Sequence, residues 1–222
     1  MPTRRAFLTT SAMTAATHAF AANGTSDIKI ALIGCGGRGT GACNQALSAG
    51  STIKLVAVVD PLEGKAQAAL DILKQKHEGQ VAVPPDQVFT QFEDWQKAFD
   101  LADVVLITTP PGPRPFLFEQ AIKAGKHVFM EKPVAVDASG VRRVLAAATE
   151  AKQKKLNVCV GFQRRYDPGY IDVINRIHQN EIGDLVLGRV YWNGTSRPGY
   201  PREPGESELH YQIRNWYFFT WM

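Results

Sequence analysis

The chain has 222 residues, 45% of them hydrophobic and 21% charged, with a formal net charge of +4. That balance suits a folded globular protein and excludes a disordered or low-complexity chain. Arg4 and Arg5 supply part of the positive excess, the rest is scattered, and no block of lysine or arginine forms a nucleic-acid footprint.

Thr3-Arg4-Arg5-Ala6-Phe7-Leu8 places two arginines ahead of a weakly apolar stretch from Ala6 to Ala16, and Ala19-Phe20-Ala21 offers an A-x-A cleavage site. Residues 1–21 are therefore expected to be a twin-arginine signal peptide that directs the protein to the bacterial periplasm or beyond. A tail with two chance arginines is the alternative. The apolar stretch is too short for a membrane span.

From Asp27 onward, strand and helix patterns alternate. Ile28 to Ile33 is an apolar run apart from Lys29, expected as a buried parallel strand. Gly34-Cys35-Gly36-Gly37-Arg38-Gly39 follows as a glycine-rich turn, then a helix over 40–48. A second strand is expected over 53–59, ending at Asp60-Pro61, and a helix over 63–77 with Ala66, Leu70 and Leu73 on one face. Residues 81–88 are broken by proline and expected to be irregular, and 92–99 to form a short helix. A third strand over 102–108 closes on Thr109-Pro110-Pro111, and a helix over 114–124 stops at Gly125. A strand over 127–130 closes on Glu131-Lys132-Pro133. Asp137 is a good N-cap for a helix with Val141, Val144, Leu145 and Ala148 at core spacing, and 156–160 is a further strand. Strands apolar on both faces, alternating with helices, predict an α/β doubly wound parallel sheet of Rossmann type.

After Gly161 the pattern changes. A helix is expected over 167–178, an antiparallel strand with one exposed face over 185–192, and a loop over 194–208. The terminal run Trp216-Tyr217-Phe218-Phe219-Thr220-Trp221-Met222 needs partners to bury against, so a continuation beyond it is expected. The three cysteines, Cys35, Cys43 and Cys159, are too few and too irregular for a disulfide framework, and Cys159 is expected to be buried. No Cys/His spacing suits zinc.

The glycine turn matches G-x-G-x-x-G in the strand-to-helix context that gives the motif meaning. Gly34 allows the tight turn, Gly36 the approach of a pyrophosphate, and Gly39 close helix–strand packing, with the phosphates on the helix N-terminus beside Gly37 and Arg38. Asp60 ends the next strand, where a carboxylate grips the ribose hydroxyls and repels an extra phosphate, favouring NAD over NADP. A plain turn before Pro61 is the alternative. Thr109 and Pro110, and Glu131 with Lys132, lie at the carboxyl ends of the following strands, the edge where such sheets bind ligands. Lys132 could stabilise an alkoxide or move a proton. Without further context an ordinary surface lysine stands beside that reading.

These four motifs, with Gly161-Phe162-Gln163-Arg164-Arg165-Tyr166 as the last, occur in an order that resembles the glucose–fructose oxidoreductase, inositol dehydrogenase and rhizopine-catabolism (Gfo/Idh/MocA) family. Tyr211-Gln212-Ile213-Arg214-Asn215-Trp216-Tyr217 resembles a branch of exported bacterial members. The resemblance implies a Rossmann domain over 27–161 and, over 162–222, the incomplete start of an α+β open antiparallel-sheet domain that holds the substrate. It implies an NAD(P)-dependent enzyme that transfers hydride between the nicotinamide and a sugar, inositol or related polyol, and a homo-oligomer when full length. Lys132 matches the family's catalytic lysine, Arg164 a cofactor-side position, and Arg165 and Tyr166 substrate-side positions. The family's Asp/His pair lies beyond the last residue here, so the chain is expected to be truncated and inactive by itself. His210 is expected in a loop, outside the site. An NAD-dependent glycoside hydrolase of the same fold and a non-catalytic dinucleotide-binding fragment are the alternatives.

Overall fold

The computed structural model describes residues 27–194 and 198–222, so the signal peptide expected at 1–21 lies outside it. Strands β1 (Ile28–Ile33), β2 (Ile53–Val59), β3 (Val88–Phe89), β4 (Val104–Ile107), β5 (His127–Met130) and β6 (Val158–Val160) form one sheet in the order β3-β2-β1-β4-β5-β6. Every pairing is parallel. The winding reverses between β1 and β4, the switch point at which doubly wound sheets open a crevice. Edge strand β3 was expected to be irregular: it has only two residues, follows Pro84-Pro85, and owes its geometry to pairing with β2.

Helices α1 (Gly37–Ser48) and α2 (Lys65–His77) cover one face, and α3 (Trp95–Leu101), α4 (Arg114–Lys123) and α5 (Ala138–Gln153) the other. Alternate strand residues feed the two cores. Leu32, Leu55 and Val58 meet Cys43, Leu47, Leu70 and Leu73, while Ile33, Val105, Ile107 and Met130 meet Phe99, Phe118 and Ile122. Burial on both faces is why these strands read as nearly continuous apolar runs, interrupted by Lys29 and Lys54 near the starts of β1 and β2. Each such fully buried side chain is worth about 1.5–3 kcal/mol.

On α5 the buried stripe is Gly140, Val144, Ala147 and Ala151, whereas Val141, Leu145 and Ala148 point outward. The expected core register was therefore wrong by part of a turn. Close packing against α4 selects the small residues: a Cβ on Gly140 would sit 3.0 Å from Pro115.

The strands end level. Ile33 lies opposite both Val59 and Ile107, Ile107 opposite Met130, and Met130 opposite Val160. Gly34, Asp60, Thr108, Glu131 and Gly161 therefore follow in a row along one edge. The ladder runs one step further, because Gly34, Thr108, Glu131 and Gly161 each donate N–H to the last carbonyl of a neighbouring strand.

Beyond β6 the chain forms α6 (Pro168–His178), capped by the Asp167 carboxylate, and α7 (Glu208–Arg214), capped by Ser207. No residue of α6 is buried. The strand expected over 185–192 does not form: the segment has no regular secondary structure and is open, with Val186 93% and Val190 96% exposed. Alternating side chains give a segment an apolar face, but a strand also needs a neighbour for its N–H and C=O groups, and none of the described residues supplies one. The antiparallel sheet expected for 162–222 is thus absent among the described residues. His210 belongs to the first turn of α7 rather than to a loop. No helix among the described residues is long and apolar enough to cross a membrane.

Candidate functional site

The glycine turn is built from the inside outward. Gly34 adopts a φ of 95°, which L side chains rarely take, and a Cβ there would meet the Thr108 carbonyl carbon at 2.9 Å. Thr108 Oγ1 donates to the Gly34 carbonyl at 2.6 Å and locks the turn to β4. A Cβ on Gly39 would run into that same carbonyl. At Gly36 and Gly37, by contrast, a Cβ would meet nothing within 4 Å. No protein group requires those two to be glycine, and the space over them is open. Helix α1 starts at Gly37, three residues before the expected start, so the last motif residues form its first turn. Its N-cap, Gly36, offers no side-chain cap and the turn carries no acid. The N–H groups there lack helical partners and face outward with the positive end of the dipole, an arrangement suited to an anion.

Asp60 follows β2 and is 6% exposed. Its Oδ2 accepts from Cys35 N at 2.7 Å and its Oδ1 from Leu62 N at 2.9 Å. The carboxylate therefore fastens the glycine turn to β2, a role the sequence reading did not assign, and each oxygen keeps a lone pair for another donor. Burial pushes its pKa up from the usual carboxylate range, against the opposing pull of the two N–H groups and Lys65. The folded state then holds this proton to higher pH than the unfolded chain does. Stability contributed at this position falls as pH rises through and just above the ordinary carboxylate range. Compared with Asp60→Asn, which does not titrate, the parent is expected to lose stability over that window. Urea denaturation at a series of pH values reads the difference, and parallel curves would contradict it.

Glu131 and Lys132 follow β5. Glu131 is 7% exposed and its Oε1 accepts from Arg38 Nε at 2.7 Å, an ion pair from the first turn of α1 to the turn that bears Lys132. Gly161 packs on that carboxylate; a Cβ there would lie 2.7 Å from Oε1. The Lys132–Pro133 peptide is cis. The lysine side chain is exposed and makes no hydrogen bond or ion pair among the described residues. Between the two turns sits Arg114, the first residue of α4 and 3% exposed, which donates Nη1 to the Pro133 carbonyl and Nη2 to the Thr109 carbonyl. Thr109 and Pro110 follow β4 in the same row, and the Thr109 hydroxyl is buried without a partner among the described residues.

Lys132, Phe162, Gln163, Arg164, Arg165 and Trp192 line an open cleft of about 410 Å³. The Arg164 guanidinium lies 5.6 Å from the Tyr170 ring centre and 5.3 Å from that of Trp192. Tyr166 is not brought into this group. Its hydroxyl lies 3.4 Å from Cys159 Sγ, and Cys159, on edge strand β6, is half-buried rather than buried as expected.

The structure therefore gathers Gly34, Gly36, Gly37, Arg38, Gly39, Asp60, Thr109, Pro110, Glu131 and Lys132 on one sheet edge, with Arg164 and Arg165 beside Lys132. The sequence reading missed Thr108, Arg114 and Trp192. Arg114 had a signal: a cation between Pro113 and Pro115 at a helix start, where the dipole opposes it. Trp192 had none, since it arrives on an unpaired segment.

Residues 28–162 match the family model described as an oxidoreductase family with an NAD-binding Rossmann fold. The inositol 2-dehydrogenase of Salmonella typhimurium (strain LT2) is 34% identical over 192 residues, 82% of this chain and 52% of its own length. The scyllo-inositol 2-dehydrogenase (NAD(+)) of Bacillus subtilis (strain 168) is 29% identical over 171 residues, 77% of this chain and 44% of its own. A crystal structure of scyllo-inositol dehydrogenase from Lactobacillus casei, with bound NAD(H) and scyllo-inositol, superposes with a TM-score of 0.56 at 30% identity. It covers 71% of this chain and 43% of that one. The chain spans about half the length of the curated relatives it matches.

Proposed function

Because the chain belongs to the Gfo/Idh/MocA oxidoreductase family and carries its NAD-binding Rossmann fold, we propose that it supplies the cofactor half of an NAD-dependent dehydrogenase acting on a CH–OH group of a cyclic polyol of the inositol kind. The observation that carries this reading is the level row of strand ends, which sets an open anion cradle at Gly36, a carboxylate at Asp60 and an exposed ammonium at Lys132 along one edge. NAD held there would supply the hydride acceptor for oxidation of the carbinol carbon. The α1 N-terminus holds its phosphates and the free lone pairs of Asp60 take ribose hydroxyls, where a further phosphate would meet a buried negative charge. Lys132 binds the substrate hydroxyl and assists its proton; Arg164 and Arg165 line the substrate side, with Tyr166 beyond them. We assign 27–161 to the cofactor domain, 162–222 to the substrate side, and 1–21 to export. Fractionation of the source cells tests that last assignment.

Fluorescence titration of this chain with NADH, and assay of NADH formation from myo- and scyllo-inositol by the whole dehydrogenase, test the main reading. Saturable binding with preference for NAD over NADP is expected, and absence of binding at millimolar-range cofactor rejects it.

A further inference from the structure

Arg114 is expensive where it stands. Its guanidinium is buried, lies in the first turn of α4 where the helix dipole favours anions, and leaves Nε without a partner among the described residues. Burial pulls its pKa down to about 10, with the Glu131 charge opposing, so it is still a cation at neutral pH. An apolar side chain of similar volume would commonly fill such a place with equal or better stability. Stability alone therefore does not account for it. Geometry does: the planar fork takes two carbonyls at once, one from Thr109 after β4 and one from Pro133, the residue next to Lys132. Arg38, through Glu131, ties the same Lys132 turn to the glycine turn from the other side.

We infer that Arg114 is a positioning residue for Lys132: by gripping the Thr109 and Pro133 carbonyls together it sets the spacing of the two turns and so where the lysine stands over the cofactor cradle. The inference rests on the proposed placement of Lys132 beside the cofactor.

The test uses the full chain with its lysines converted to isotope-labelled dimethyl-lysines, which keep their charge, and follows the Lys132 resonance by NMR, assigned through Lys132→Arg. In the parent, saturating NADH should shift that resonance. In Arg114→Met, NADH should bind within about three-fold of the parent affinity, since the cradle is untouched, yet the Lys132 shift should fall to less than half. Arg114→Lys keeps the charge but has a single point of donation. It should fold and bind NADH, and its Lys132 shift should also stay below the parent's. If either variant folds and gives the full parental shift, the inference is wrong. If Arg114→Met does not fold, Arg114→Lys decides alone; if neither folds, Arg114 is a structural residue and the inference fails. A parent that binds NADH with no movement of Lys132 would instead overturn the placement of the lysine itself, and this inference with it.

Discussion

Gly36→Ala is expected to fold like the parent and to lose cofactor binding by about a hundred-fold or more, roughly 2.7 kcal/mol. The expectation comes from the contrast between two glycines of one motif. A Cβ on Gly36 would meet no protein atom within 4 Å, and the residue's φ of −67° is one that alanine adopts freely. Nothing in the protein resists the methyl group. It occupies only the open space that the proposed reading gives to a pyrophosphate on the first N–H groups of α1. Gly39 is the reverse. Its Cβ would run into the Gly34 carbonyl and lie 2.6 Å from Thr108 Oγ1, so Gly39→Ala must push α1 off β1. That overpacking costs about 1–3 kcal/mol or more of stability and disturbs binding only as a consequence. Thermal melts and NADH titrations of the two variants separate the roles. Parental affinity in Gly36→Ala would mean that the open space beside the turn is not the phosphate site.

The sheet was legible because each of its main strands is buried on both faces, so apolar runs such as Ile28 to Ile33 and Ile53 to Val59 needed no partner to be recognised. The motifs at their carboxyl ends followed, since a strand's end fixes where the next residue points. Legibility failed where tertiary pairing decides. Strand β3 is two residues held by β2, and 185–192 has the alternation of a strand but no neighbour to bond among the described residues. It failed again on α5, where Val141 and Leu145 carry the greater hydrophobicity but the close approach of α4 favours Gly140, Ala147 and Ala151. In the site, Asp60 was read as a ribose ligand, yet its bond to Cys35 N requires a fold in which residues 25 apart touch. Arg114 was passed over for the same reason. Its partners are carbonyls of Thr109 and Pro133, and backbone acceptors leave no mark in a sequence.

In the whole dehydrogenase of which this chain is the proposed cofactor half, Lys132→Met should lower turnover by about a hundred- to ten-thousand-fold, the usual loss when a positioned proton-transfer group is removed. Cofactor affinity should stay within about three-fold of the parent, because the lysine follows β5 whereas the phosphate cradle follows β1. Methionine is close in length and apolar bulk, so the variant removes the ammonium with little repacking. Its backbone place is held independently, by the Arg114 bond to Pro133 and by the buried Glu131 carboxylate on Arg38. Lys132→Arg then separates two forms of action. If the residue works only as a fixed positive charge beside a developing alkoxide, arginine should preserve a substantial part of the rate. If it gives and takes a proton, arginine should be nearly as poor as methionine, because a guanidinium does not release its proton in the working pH range. Steady-state rates with inositol and NAD, measured beside NADH titrations, read both quantities. Loss of NADH binding in Lys132→Met with turnover falling only in proportion would move the lysine onto the cofactor's phosphates and remove it from the reaction.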